Sequence, residues 1–161
     1  MHIFLTGPLQ SGKSTAIARY LAGRPEAPGG FRTYWDRGAG RLALELLETG
    51  EVLTVATMEP RGVKADRAAF DAAGERLLSA PAGRRALLLM DELGFLERCS
   101  PVFQRAVFTL LDGPTPVLGV LRPHEKSPFW GPVSRRADVR LLPLTVENRA
   151  EIPAELARLL G

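Results

Sequence analysis

The chain is poor in several residue types, and each shortage removes a class of protein. Among 161 residues there is one cysteine, Cys99, so no internal disulfide can form, and the composition suits a reducing cytoplasm. No apolar run approaches the ~20 residues that a membrane-crossing helix needs. A secretory leader is not expected either, because an apolar strand pattern begins at residue 2 and a glycine-rich loop at residue 7. His2 and His124 lie far apart and have no metal-ligand spacing. Lysine is scarce, with Lys13, Lys64 and Lys126 the only three of 21 basic residues that are not arginine. The net charge of +3 comes with no basic tail and no aromatic-basic interleaving, so nucleic-acid binding is possible but not indicated. The Ala, Arg and Gly enrichment fits either genome composition or heat adaptation. No repeat or linker breaks the chain, and residues 1–161 are expected to form a single domain.

Against these absences stands one dense signal, Gly7-Pro8-Leu9-Gln10-Ser11-Gly12-Lys13-Ser14-Thr15. It fits the phosphate-loop pattern G-x-x-x-x-G-K-[ST], in which backbone N–H groups converge on phosphate oxygens. Lys13 supplies a mobile positive charge to the β- and γ-phosphates, and the Ser14 hydroxyl is placed to ligate Mg²⁺. The flanks agree with the motif. Residues 2–6 are an apolar strand-like run, and residues 15–22 carry Ile17, Tyr20 and Leu21 on one helical face, whose positive end points at the anion.

Further along, residues 29–35, 41–47 and 51–56 read as consecutive strands, an antiparallel excursion beside a parallel core. Residues 58–64 read as loop, residues 66–78 as helix, and Pro81-Ala82-Gly83 as a breaker. Residues 86–90 form a continuous apolar strand that ends at Asp91-Glu92. A helix over 101–111, a strand over 116–121, an irregular proline-bearing segment over 122–134, a strand over 139–144 and a helix over 153–160 complete the pattern, with Thr145 capping a short turn. Such alternation predicts an α/β three-layer P-loop sandwich.

The Asp91-Glu92 pair suggests the chemistry. Carboxylates at the C-terminal end of a parallel strand share the sheet edge where α/β ligands bind. Asp91 can hold Mg²⁺ opposite Ser14, and Glu92 is placed to orient a water near the γ-phosphate. Glu97 either braces the loop after this pair or is a surface acid. Arg32, Arg122, Lys126 and Arg149 are candidates to neutralise γ-phosphate charge, with a surface ion pair as the competing reading for each. Trp35, Phe129 and Trp130 either stack on a base or pack the core or a lid.

Phe4-Leu5-Thr6-Gly7-Pro8, Lys13-Ser14-Thr15, Gly29-Gly30-Phe31, Asp91-Glu92-Leu93-Gly94-Phe95-Leu96-Glu97 and Thr145-Val146-Glu147-Asn148-Arg149 occur in this order. In this the chain resembles the small P-loop nucleoside-triphosphatase family that includes the human cancer-related nucleoside-triphosphatase. The resemblance implies Mg²⁺-dependent hydrolysis of ATP, GTP, CTP and UTP to diphosphate and phosphate, with little choice of base. It also implies a RecA-like, mostly parallel sheet with added antiparallel strands. The sequence departs from the family pattern at Arg32-Thr33-Tyr34, where an acid is lost, at Phe95-Leu96, and over residues 52–64. Two other readings of the same loop remain open, a nucleotide or small-molecule kinase and a nucleotide-switched or RNA-associated binding module.

Overall fold

The computed structural model describes residues 1–80 and 84–161, so the expected breaker at Pro81-Ala82-Gly83 lies outside the described residues. Its first strand, β1 (His2–Thr6), is apolar and almost wholly buried, because it runs through the middle of the sheet with helices on both faces. The phosphate loop leads into α1 (Lys13–Ala22). Then come β2 (Gly29–Asp36), β3 (Arg41–Leu46), β4 (Val52–Glu59) and β5 (Gly62–Ala65). The remainder alternates: α2 (Arg67–Ser79), β6 (Leu88–Leu93), α3 (Pro101–Leu111), β7 (Val117–Leu121), α4 (Trp130–Ser134), β8 (Val139–Pro143) and α5 (Ile152–Leu160).

These strands join one eight-stranded sheet in the order β5-β4-β3-β2-β6-β7-β1-β8. From β2 through β8 the neighbours run parallel, and from β2 outward to β5 they run antiparallel. The three-layer α/β sandwich with its mixed, mostly parallel RecA-like sheet is therefore the observed architecture. One face carries α1 and α5 over Ile3, Leu5, Leu118 and Val120. The other carries α2 and α3 over Phe4, Phe31, Met90 and Leu121. Phe103 anchors that second layer, with its ring centroid 5.4 Å from Phe31 and 5.3 Å from Phe70 in edge-on geometry. Such pairs add about 0.5–1.5 kcal/mol each beyond area burial.

Gly30 shows why β2 can lie against β6. Its φ is 90°, and a Cβ there would collide with the Leu89 backbone. At α2 and α3 the N-caps Asp66 and Ser100 accept from the N–H groups of Ala69 and Phe103, at 3.0 and 3.1 Å.

Three sequence expectations are corrected. Residues 58–64 are not a loop: β4 continues to Glu59 and turns back at once into β5, with Met58 opposite Val63. Asp91-Glu92 does not end β6. The strand runs to Leu93 because β2 and β7 pair with it on both sides, Asp91 lying beside Arg32 and Val120. The segment 122–134 is not irregular throughout. The fully buried Phe129 leads into α4, and the N–H groups of Phe129 and Trp130 donate to Ser127 Oγ at 3.1 and 3.2 Å. A 3₁₀ turn over Leu96–Cys99 has no counterpart in the sequence reading.

Candidate active site

Two loops meet at the C-terminal ends of the central parallel strands. The first is residues 7–15. Gly7 has φ 144°, and a Cβ there would strike the Leu144 carbonyl oxygen, so the loop can leave β1 only with glycine. Gln10 at φ 57° and Gly12 at φ 101° complete the left-handed bends that turn the backbone inward. Pro8 accepts from the Ser11 N–H at 3.3 Å. The Lys13 ammonium donates to the carbonyls of Gly7 at 2.9 Å and Pro8 at 2.6 Å, and to Ser11 Oγ at 3.3 Å. Burial lowers its pKa, against the pull of Glu92 and Asp91. The first turn of α1 holds no acid that would offset the helix dipole, so the helix presents its positive end to the loop. Thr15 follows Ser14 on that turn and is exposed.

The second loop starts on β6. The Ser14 hydroxyl donates to Asp91 Oδ2 at 3.1 Å, bridging from the phosphate loop to β6. Burial pushes Asp91 up to about 6; the Ser14 hydrogen bond, Lys13 and Arg32 work against this, and Glu92 with it. Glu92 is also raised by burial, opposed by Arg122 and Lys13. The peptide between the two acids is cis. Thr33 holds it from β2: its hydroxyl donates to the Asp91 carbonyl at 3.3 Å and lies 3.4 Å from the Glu92 N–H. Sequence reasoning gave Thr33 no role. The available signal was register, since Arg32 of β2 sits beside Asp91.

Glu97 is not a surface acid. It is 5% exposed, its Oε2 has no hydrogen-bond partner among the described residues, and burial lifts it to about 7, although the Glu97 and Gly94 N–H groups pull the other way. Of the four cationic candidates, Arg122 shares a cleft with both Lys13 and Glu92. That cleft, of about 130 Å³, also takes in Gly7, and the Arg122 guanidinium lies 5.5 Å from the Phe95 ring. Phe95 in turn stacks on His124, 4.4 Å between centroids. Arg32 is engaged with Glu45 at 2.6 Å, although its charge still acts on Asp91. Arg149 lies over Gly12, with its Cδ 3.3 Å from where a Gly12 Cβ would stand. Lys126 stays exposed in the turn after β7 and lines neither cavity at the site. Phe129 belongs to the core, whereas Trp35 lines a cavity of about 320 Å³ that runs from Ser14 and Asp91 past Glu92. A larger cavity, about 420 Å³, opens at the opposite ends of the strands between Leu46, Leu77 and Leu110, remote from both loops.

A nest of backbone N–H groups, a lysine, and a Ser–Asp pair beside a second carboxylate form an arrangement built to bind and cleave a phosphoanhydride. The NTPase family profile matches residues 2–157. The chain belongs to the NTPase family. Family membership makes it an enzyme that acts on nucleoside triphosphates. It is 28% identical to the nucleoside-triphosphatase THEP1 of Thermofilum pendens, covering 98% of this chain and 93% of that one. It is 27% identical to THEP1 of Methanosarcina barkeri, over 98% and 95% of the two chains. The fold is similar to that of THEP1 from the hyperthermophile Aquifex aeolicus, with a TM-score of 0.81 at 22% identity over 100% of this chain and 99% of that one. It is also similar to the human cancer-related nucleoside triphosphatase, with a TM-score of 0.76 at 24% identity over 99% and 97%. No described helix is long and apolar enough to cross a membrane.

Proposed function

We propose that this NTPase hydrolyses ATP, GTP, CTP and UTP to the diphosphate and phosphate, with Mg²⁺ as cofactor and Glu92 orienting the attacking water. The observation that carries the reading is the placement of Glu92, one residue beyond the Ser14–Asp91 hydrogen bond and facing Lys13 across one cleft. Gln10, Ser11, Gly12, Lys13, Ser14 and Thr15 bind the phosphates through backbone N–H groups, the ammonium and hydroxyls, while Gly7 and Pro8, which has no N–H to give, shape the loop around them. Ser14 and Asp91 would hold Mg²⁺. Their hard oxygens, 3.1 Å apart, fit an ion whose remaining ligands are water and phosphate oxygens. Held by these two residues, Mg²⁺ would supply positive charge to offset that of the triphosphate.

The water's proton moves to Glu92 as its oxygen forms the bond to Pγ. The bond from Pγ to the β-bridging oxygen breaks, and the diphosphate leaves. Arg122, held against Phe95, steadies the charge that spreads over the γ-oxygens. None of these groups reads a base, which supports broad base use. The lone cysteine supports a cytoplasmic setting. Incubation with each triphosphate and Mg²⁺, without acceptor, should release phosphate at rates within about a hundredfold of one another. No release from any of the four would overturn the assignment.

A further inference from the structure

We propose that the cavity beyond the γ-phosphate position is a second-substrate site, taking a small aromatic or heteroaromatic alcohol whose hydroxyl receives the γ-phosphoryl group. The inference rests on the hydrolase reading for the placement of the phosphate loop and Glu92. Hydrolysis needs room for one water, for which a cavity of about 10–15 Å³ suffices. The space here is about 320 Å³, and only its inner end, at Ser14 and Asp91, belongs to the phosphates and cation. Beyond Glu92 its walls include Trp35, Leu42, Val63, Phe95 and Leu96, brought from β2, β3, β5 and the segment after β6, with Tyr34 and Arg122 adding polar atoms. Most of that wall is apolar and ring-bearing, and stacking on His124 fixes the Phe95 ring in place. A bare hydrolytic water gains nothing from such walls, whereas a flat organic body does.

Glu97 gives the second, independent indication. Although 5% exposed, it lines this cavity, and its Oε2 accepts no hydrogen bond from any described residue. Gly94 leaves a gap between it and Glu92: a methyl at Gly94 would stand 3.6 Å from Glu97 Oε2 and 3.8 Å from Glu92 Oε1. Two carboxyl groups thus converge on one opening inside apolar walls. That suits a ligand whose apolar body carries hydroxyl or N–H donors, with Arg122 on the same wall to offset the acids' charge. In the step itself, the alcohol oxygen forms the bond to Pγ and its proton passes to Glu92. The bond from Pγ to the β-bridging oxygen breaks, and a phosphate monoester and the diphosphate leave. Heteroaromatic alcohols come from two sources, free ring alcohols and nucleosides, and both present a flat ring and a primary hydroxyl.

The test incubates the protein with ATP and Mg²⁺ at millimolar 3-pyridinemethanol in one arm and at millimolar adenosine, guanosine, cytidine or uridine in the other. Phosphorus NMR counts ADP, free phosphate and phosphate monoester. A Trp130→Phe background leaves Trp35 as the only tryptophan, so that its emission reports occupancy. The expected result is ADP in excess of free phosphate in at least one arm, with the difference recovered as monoester and the Trp35 emission shifted. The productive arm identifies the source. Val63→Trp, at a partly exposed edge-strand position, should fill the cavity and abolish monoester formation while acceptor-free phosphate release continues at the parental rate. Equal ADP and phosphate in every arm overturns the proposal, whether or not the Trp35 emission changes, as does monoester formation undiminished in Val63→Trp. Failure of the hydrolase reading is separate, because it shows as no phosphate release in the acceptor-free control.

Discussion

At the residue scale, Lys13 is bonded only to its own loop. Lys13→Ala should therefore leave the thermal transition intact while removing a charge-assisted contact to the phosphates, worth about 1.5–3 kcal/mol, or roughly ten- to a hundredfold in affinity. Calorimetric titration with a triphosphate checks this, and unchanged affinity would remove Lys13 from the phosphate site. Glu92→Gln keeps the side chain's size and should retain nucleotide affinity while turnover falls by about 10²–10⁴. Asp91→Asn should weaken Mg²⁺-dependent binding as well, which measuring affinity and phosphate release for both variants at one Mg²⁺ concentration will separate. Glu97 makes a different prediction. Burial lifts its pKa from 4.5 to about 7, so between these values the folded chain keeps a proton that the unfolded chain has released. Its contribution favours folding in acid and is lost as pH rises through that window. Glu97→Gln should accordingly melt higher than the parent above pH 7 and differ little near pH 4.5; identical shifts at both pH values would contradict the account. His2 works in the opposite sense. Nδ1 accepts from the Val117 N–H at 3.0 Å while Nε2–H donates to the Leu111 carbonyl at 2.8 Å, an arrangement only the neutral ring can make. Burial lowers its pKa from 6.5, so its contribution to stability is lost as pH falls below that value.

At the element scale, the legible parts were those whose pattern is local. The apolar run of β1, the proline-started α3 and the phosphate loop each announce themselves within a dozen residues, and α3 occupies the expected residues 101–111. That Asp91 lies at the same sheet edge as Ser14 was also expected, because the C-terminal ends of parallel strands share one edge; the hydrogen bond between them was not. The β4–β5 hairpin was not legible. Its outer strand has little apolar alternation, and Pro60-Arg61-Gly62 reads equally well as loop. The burial of Glu97 was hidden for another reason: the 3₁₀ turn that folds it inward follows from packing against α3, where the Gln104 amide donates to the Glu97 carbonyl at 3.0 Å. Packing also sets the cost of altering Phe103, whose ring meets Phe31 from β2 and Phe70 from α2. Phe103→Ala should cost about 3–5 kcal/mol of unfolding free energy, measured by urea titration, because three elements surround the vacated volume. A loss below ~1 kcal/mol would mean that the layer repacks freely.

At the scale of the whole molecule, fewer than half of the arginines meet a carboxylate among the described residues. Arg76, Arg85, Arg136 and Arg158 each meet a carboxylate, and Arg136 meets both Asp112 and Asp138 at 2.8 Å. These surface pairs add little stability individually, with a median of about 0–1 kcal/mol. The strand order was beyond the sequence, since apolar runs reveal that strands are buried but not which neighbours they choose. The antiparallel half has one further consequence. β5 is a four-residue strand at the end of the sheet, so one side of its backbone has no partner strand within the chain. An open ladder of this kind is a template on which a second polypeptide can crystallise its own strand, the first step toward fibrous aggregates. Lys64, exposed at the centre of that edge, opposes the event by charge and solvation. Lys64→Val should leave the monomer's melting temperature nearly unchanged while light scattering after prolonged warming rises well above the parent's; equal scattering would show that the shortness of the edge, rather than its lysine, keeps the molecules apart.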